Sequence, residues 1–312
     1  MKKCLIGYSG TVGTALLRQS KFFYKFNSKN IYKIKNNEYD LVVCCAANGS
    51  MIKANSNPKH DLQNIKKLLN HIKYIKAKYF FLISTIQIFE NVSEKNYETS
   101  KKFNNKIPYG KNRLYLEKAL KRKFDNLYII RLPSIFDKHI KKNFLYDLKN
   151  PLPNFFDNNR YKKLIQNTKK EYLIKLIKKA YKYEGIFYVL NKKKLNSSQI
   201  KTLREHLINL NLHSATLTNK NSLFQYYYLG NLWKDIKMMI KYKIKILNAS
   251  CNPLKASYLH KLFTGRYMKE NQSKIYNAQM RSIHSEYWGK KKNSFLYKKN
   301  EIIDQIRKIF KL

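Results

Sequence analysis

The stretch Cys4-Leu5-Ile6-Gly7-Tyr8-Ser9-Gly10-Thr11-Val12-Gly13 constrains this chain more than any other. A short apolar run stops at a glycine, two more glycines follow at every third position, and Thr14-Ala15-Leu16-Leu17 opens a helical pattern. This is the pattern of a strand, a tight turn and a helix start. Glycines let the backbone bend and let an anion come close, while the helix start offers free N–H groups and a partial positive charge. The spacing is G-x-x-G-x-x-G rather than the usual G-x-G-x-x-G, but its place directly after a strand points to a dinucleotide pyrophosphate. Gly7, Ser9, Gly10, Thr11, Val12 and Gly13 are the candidate contacts.

Such a turn belongs at the end of a parallel strand, and the following sequence supplies the sheet. Residues 22–26 read as an aromatic-rich strand. Asp40 precedes a continuous apolar run over 41–47, as expected of a strand buried on both faces. Residues 58–75 read as a helix with Leu62, Ile65, Leu68, Leu69 and Ile72 on one face. Residues 79–84 and 127–132 read as strands, 90–108 as a polar loop and 109–124 as a helix. This alternation predicts an α/β fold, a doubly wound parallel sheet with right-handed crossovers.

Past Pro133 the pattern continues less regularly. Residues 143–148 and 171–183 read as helices, 186–190 as a strand and 197–207 as a helix with a serine cap. Residues 229–240, 245–248 and 254–263 continue the alternation, and 301–310 reads as an amphipathic closing helix. The two prolines and several asparagines of 150–160 make that segment the candidate linker. The chain of 312 residues has room for two domains. The reading places a cofactor domain at 1–150 and a smaller α+β substrate-binding part at 151–312, partly interleaved with it.

No run reaches the roughly 18 apolar residues of a membrane span, and the start lacks a signal-peptide pattern, so a soluble, cytoplasmic protein is expected. Cys4, Cys44, Cys45 and Cys251 form no C-x-x-C pair and read as buried thiols. Seven scattered histidines without an H-E-x-x-H spacing give no reason to expect a metal site.

The ribose of a bound dinucleotide should be met about 20 residues past the glycines. There the chain reads Asn27-Ser28-Lys29-Asn30, with no carboxylate before Glu38. An acid would favour the free 2′-hydroxyl of NAD, so its absence beside Lys29 leans toward NADP. The chain carries 64 Lys+Arg against 19 Asp+Glu, a net charge of +45. Lysines are spread through every segment instead of forming one basic stripe. Weak, nonspecific attraction to phosphate polymers at low salt is expected, and a specific nucleic-acid site is not.

Thr85 directly follows one predicted strand, and Tyr109-Gly110-Lys111-Asn112-Arg113 opens the helix after the next loop. A hydroxyl at a strand's carboxyl end faces the crevice where open α/β sheets bind ligands. Tyr109 and Arg113 lie one turn apart on one helical face, where the cation is expected to lower the phenol pKa. A tyrosine so tuned passes a proton while hydride moves at a nicotinamide.

The order of these parts resembles the extended short-chain dehydrogenase/reductase family of nucleotide-sugar epimerases, dehydratases and reductases. Gly7–Gly13 is similar to its G-x-x-G-x-x-G, Asp40–Ala47 to its D-V-V-x-x-A-A strand, and Ser84-Thr85-Ile86-Gln87-Ile88-Phe89 to its S-[ST]-x-x-V-[YF]. Tyr109–Arg113 resembles Y-G-x-x-K with arginine in place of lysine, and Arg131-Leu132-Pro133-Ser134-Ile135-Phe136 resembles R-x-x-x-V-[YF]. The short span from 27 to 40 resembles the dTDP-rhamnose-type reductase branch. Residues 54–61 and 223–236 resemble a sugar-epimerase-like subgroup.

The resemblance covers residues 1 to about 150 and implies a Rossmann-type fold with NAD or NADP as cofactor. It implies Thr85, Tyr109 and Arg113 as the catalytic set, and Lys29, Ala46, Ala47 and Pro133 as further cofactor contacts. Asn48, Gln87, Asn143, Gln225 and Tyr227 are implied at a nucleotide-sugar or other small-molecule substrate, and the class admits a homodimer. Two readings follow: a hydride-transferring epimerase, reductase or dehydratase, or a non-catalytic NAD(P)-binding or RNA-associated protein. The arginine at position 113 and the charge speak for the second, and the joint presence of Tyr109, Thr85 and the glycine turn for the first.

Overall fold

The computed structural model describes residues 1–312. Strand β1 (Lys3–Ile6) buries Cys4, Leu5 and Ile6 and ends at Gly7, which turns the chain into helix α1 (Thr11–Leu17). Strand β2 (Tyr24–Phe26) is shorter than the predicted 22–26, because Phe22 packs edge-on against Trp233 instead of joining the sheet. Strand β3 (Glu38–Cys44) carries the apolar run. A short helix α2 (Met51–Ser56), not expected from the sequence, is capped by the Ser50 hydroxyl. Helix α3 (Pro58–Ile72) begins with proline at its first turn and an Asn57 cap.

Strand β4 (Lys76–Thr85) starts three residues before the predicted position, extended by pairing of Lys76 with Glu38. Then follow α4 (Pro108–Lys121), β5 (Leu127–Leu132), β6 (Ser134–Phe136) and α5 (Phe144–Lys149). After these come β7 (Phe155–Phe156), α6 (Asn158–Gln166), α7 (Glu171–Ala180), β8 (Tyr181–Glu184), β9 (Phe187–Leu190) and α8 (Ser197–Asn209). The chain closes with β10 (Leu223–Phe224), β11 (Tyr226–Tyr228), α9 (Leu232–Lys241), β12 (Ile246–Asn248), α10 (Ala256–Thr264) and α11 (Lys299–Phe310).

Contacts divide the chain into two units: Met1–Ile140 with Leu223–Leu254 and Asn277–Leu312, and Lys141–Ser222 with Lys255–Tyr276. The first unit is a six-stranded sheet of order β12-β5-β4-β3-β1-β2, parallel throughout. Because β2 lies on one side of β1 and β3 on the other, the strand order reverses at β1/β3. The carboxyl ends there form the crevice in which open α/β sheets bind ligands. Leu41, Val42, Val43 and Cys44 are fully buried in the centre of this sheet, which explains why the run is continuous instead of alternating.

The second unit has its own core around Phe156, Leu164, Ile177, Leu203 and Leu207 and an antiparallel sheet of order β7-β9-β8. Three predicted features change here. The helix predicted over 171–183 stops at Ala180, because Gly185 in a left-handed turn folds β8 and β9 into a hairpin and Tyr181 is buried with its hydroxyl on the Pro153 carbonyl. The candidate linker at 150–160 is part of the unit, with Phe156 buried and paired with Tyr188. The cap of α8 is Asn196, in a reciprocal box with Gln199, instead of a serine.

Candidate active site

The three glycines of the first turn are required for three different reasons. Gly7 has φ +88°, and a Cβ on it would lie 2.8 Å from the Ala46 backbone, so β1 and the end of β3 approach too closely for a side chain. A Cβ on Gly13 would run into the Gly7 carbonyl and the Tyr8 backbone, so this glycine lets α1 pack onto the strand. Gly10 is extended, exposed, and would place a Cβ in ordinary contact with the Gly7 oxygen alone, at 3.4 Å. Nothing within the protein demands glycine there. Its bare backbone, with no side chain capping the start of α1, leaves the ledge that a pyrophosphate would fill.

Ser9 and Thr11 flank this ledge and are exposed, and Val12 is half-buried. The Asn27 amide at the end of β2 reaches the Ser9 hydroxyl at 3.4 Å, while exposed Lys29 follows on the Asn27 turn. Ala46 and Ala47 lie just past β3, so candidate cofactor residues from three adjacent strand ends come together. Pro133 is buried between β5 and β6, farther along the sheet.

Tyr109 stands in the first turn of α4, and the docking of that helix explains its position. A Cβ on Gly110 would strike the Gln87 carbonyl, so helix and strand end meet backbone to backbone. Ile107 cannot cap the helix with its side chain. The Asn104 carboxamide accepts from the Lys106 and Ile107 amides instead, at 3.1 and 2.9 Å, and Asn55 accepts from the Tyr109 amide at 3.0 Å. The Arg113 guanidinium lies over the Tyr109 ring, 4.6 Å from its centroid, and Thr85 ends β4 beside the same phenol.

Arg113 is held firmly. It donates two hydrogen bonds of 2.9 Å to the two oxygens of Asp61 and one of 2.5 Å to the Asn48 carbonyl, and Asn112 donates to Asp61 at 2.9 Å. Burial alone would raise the Asp61 pKa, but Arg113 and Asn112 outweigh it and hold the carboxyl below its usual range. The predicted lowering of the Tyr109 pKa does not occur. Burial pushes the phenol above its ordinary value, and Arg113 and Thr85 only partly offset this. The cation is shared with Asp61, so it does not act on the phenol as a lone charge. Lys111 is exposed.

One turn beyond Arg113, Glu117 is buried, accepting from Ser84 at 2.5 Å and from Arg131 through two bonds of 3.2 and 2.8 Å. This network and Asp61 were not singled out from the sequence. The only signal was the recurrence of Tyr109, Arg113 and Glu117 at every fourth position of one helix.

Two of the expected substrate residues lie beside α4, with the Asn48 carbonyl accepting from Arg113 and the Gln87 carbonyl against Gly110. The exposed Asn48 follows β3, and the half-buried Gln87 lies in the turn after Thr85. Asn143 belongs to the second unit and caps α5, accepting from the Tyr146 amide at 3.2 Å. Gln225 and Tyr227 are corrected to structural roles. The Gln225 carboxamide is buried and bound to the Cys251 and Met280 carbonyls and the Met280 amide. Tyr227 is fully buried with its hydroxyl on Asp235, which also accepts from Tyr297 and Trp288. Neither side chain has a polar atom left for a substrate.

The sequence family described as "RmlD substrate binding domain" matches residues 1–152. No curated protein sequence matches the chain. Among solved structures, the chain is similar to a dTDP-4-dehydrorhamnose reductase from Clostridium acetobutylicum at 14% identity, covering 100% of both chains with a TM-score of 0.58. It is similar to the dTDP-4-dehydrorhamnose reductase of Yersinia enterocolitica at 12% identity, over 99% of this chain and 100% of that one, with a TM-score of 0.60. A third similar structure, MoeE5 in complex with UDP-glucose and NAD, shares 10% identity over 100% and 99% of the chains, with a TM-score of 0.58. The shared fold is the parallel sheet with its flanking helices.

Proposed function

We propose that the chain is an NAD(P)-dependent enzyme of the extended short-chain dehydrogenase/reductase type that alters a nucleotide sugar by hydride transfer, a reading supported by the family match over residues 1–152 and by the fold shared with the reductase structures. Epimerase, reductase and dehydratase chemistry all fall within this reading. The observation that carries it is the docking of Tyr109 and Arg113 on α4 against the carboxyl end of β4, where Gly110 packs onto the Gln87 carbonyl just past Thr85, in the sheet whose β1 end carries the bare Gly10 ledge. The bound group in the MoeE5 neighbour, UDP-glucose with NAD, supports the same substrate and cofactor classes.

The residues present fit a dinucleotide. The Gly10 ledge and the start of α1 would take the pyrophosphate, with Asn27 and Lys29 beside the ribose and Ala46 and Ala47 along the crevice. A bound nicotinamide supplies or accepts hydride. The chain itself supplies the proton: Thr85 holds the reacting oxygen by hydrogen bonding, and Tyr109 gives or takes the proton at its phenolic oxygen. Arg113, engaged by Asp61 and the Asn48 carbonyl, clamps α4 to α3 and orients the phenol in place of holding a ribose. Lean toward NADP rests on the missing carboxylate after β2.

The same engagement of Arg113 favours a second reading, a cofactor-binding protein without turnover. Tyr109→Phe separates the two. Consumption of reduced nicotinamide with a panel of nucleotide sugars should fall about 100-fold or more, while cofactor affinity stays within about twofold of wild type. Binding of cofactor without turnover of any nucleotide sugar by wild type would establish the second reading.

A further inference from the structure

We propose that Asp61 is a positioning residue of this site, which cancels the charge of Arg113 and keeps Tyr109 a proton donor, fitting the site to reduction of a sugar carbonyl. This rests on the reading of Tyr109 as the proton-transfer group.

A lone cation beneath a phenol favours its ionised form and prepares it as a base, the state needed to begin by oxidising an alcohol. Here the guanidinium over the Tyr109 ring is bound at both ends of its fork by the two Asp61 oxygens, each at 2.9 Å. Both side chains are more than nine-tenths buried, so solvent does not screen the pair. Asn112 fixes Asp61 from the side at 2.9 Å, and the remaining hydrogen bond of the Arg113 guanidinium goes to the neutral Asn48 carbonyl. The groups acting on Tyr109 from each packed element are Arg113 on α4, Asp61 on α3 with His60 beside it, and the uncharged Thr85 on β4. Glu117, two turns along α4, is itself paired with Arg131. The site therefore has no uncompensated cation at the phenol.

A neutral phenol completes one half-reaction directly. The carbonyl carbon gains hydride, with its electron pair, from a reduced nicotinamide. The carbonyl π bond breaks, and the oxygen takes the Tyr109 proton to give the alcohol. The carbonyl is reduced, the nicotinamide oxidised, and the phenolate regains a proton from water. Thr85 holds the same oxygen throughout. Beginning from an alcohol would require the phenol to be ionised first.

Ultraviolet difference titration of tyrosinate, taken as protein minus its Tyr109→Phe counterpart, tests this without cofactor or substrate. Wild type should show no Tyr109-dependent ionisation near neutral pH, and Asp61→Asn should raise the ionised fraction roughly tenfold or more at a given alkaline pH. Asp61→Glu, which keeps the carboxylate, should restore the wild-type curve. Ionisation of Tyr109 in wild type near neutral pH, or no displacement in folded Asp61→Asn, overturns the proposal. If Asp61→Asn does not fold, Asp61→Asn/Arg113→Gln removes both charges together. Its Tyr109 curve should then match wild type, and a displacement to higher pH would show that Arg113 had acted as a lone cation. A titration that behaves as predicted in a protein that binds no nicotinamide would leave the charge balance standing and overturn the enzymatic reading alone.

Discussion

Gly7 and Gly10 look alike in the sequence, and substitution should separate them. Gly7→Ala places a side chain at φ +88° against the Ala46 backbone and should cost about 1–3 kcal/mol or more in urea unfolding. Gly10→Ala meets only an ordinary contact and should stay within about 0.5 kcal/mol of wild type, while weakening cofactor binding. Equal destabilisation by the two would remove the case for Gly10 as a ligand ledge. At this scale the sequence revealed which residues matter but not what holds them. Tyr109, Thr85 and Arg113 stood out through their order along the chain. Asp61, which determines what the Arg113 charge does, lies 52 residues away from it and belongs to no local pattern. Gln225 and Tyr227 were misplaced for the same reason, because their partners Cys251, Met280 and Asp235 are reached only through tertiary folding.

Helix α4 shows what periodicity can and cannot reveal. Its buried apolar positions, Leu116 and Leu120, lie one turn apart, yet Asn112, Arg113 and Glu117 are buried beside them. An amphipathic reading places such residues in solvent, since burial of charge is costly unless it is paired. The partners lie on α3, β4 and β5, and together they make α4 a rigid carrier for Tyr109. Glu117→Leu should cost about 3–5 kcal/mol by leaving Arg131 buried without its carboxylate. Glu117→Leu/Arg131→Met should recover most of that loss in chemical denaturation. Additive losses in the double variant would show that the pair does not hold the helix.

Helix α5 carries a half-buried carboxylate, Asp147. Burial pushes the Asp147 carboxyl up to about 7. Its folded form thus holds the proton more tightly than the unfolded chain, and the associated stability is lost as pH rises from about 4 to about 7. Asp147→Asn should remove that component, so its Tm advantage over wild type grows across this window. An unchanged difference between the two proteins would contradict the assignment.

Across the whole molecule, the sheet was legible because each buried strand left an apolar run, but the points at which the chain passes between the two units were not. The chain leaves the first unit after Ile140 and returns at Leu223 and Asn277 without a change in composition, and β12 contributes only three residues to the sheet. The charge of +45 also belongs to this scale. It predicts attraction to nucleic acid that falls steeply with added salt, with no specific site required. Binding of a nicotinamide dinucleotide with its pyrophosphate on the bare Gly10 ledge is tested most directly by calorimetric titration with NAD⁺, NADH, NADP⁺ and NADPH at about 150 mM salt, where general anion attraction is screened. Saturable binding of one oxidised–reduced pair, abolished in a folded Gly10→Asp variant, is the predicted result. No binding of any of the four, or binding that Gly10→Asp leaves intact, would contradict it.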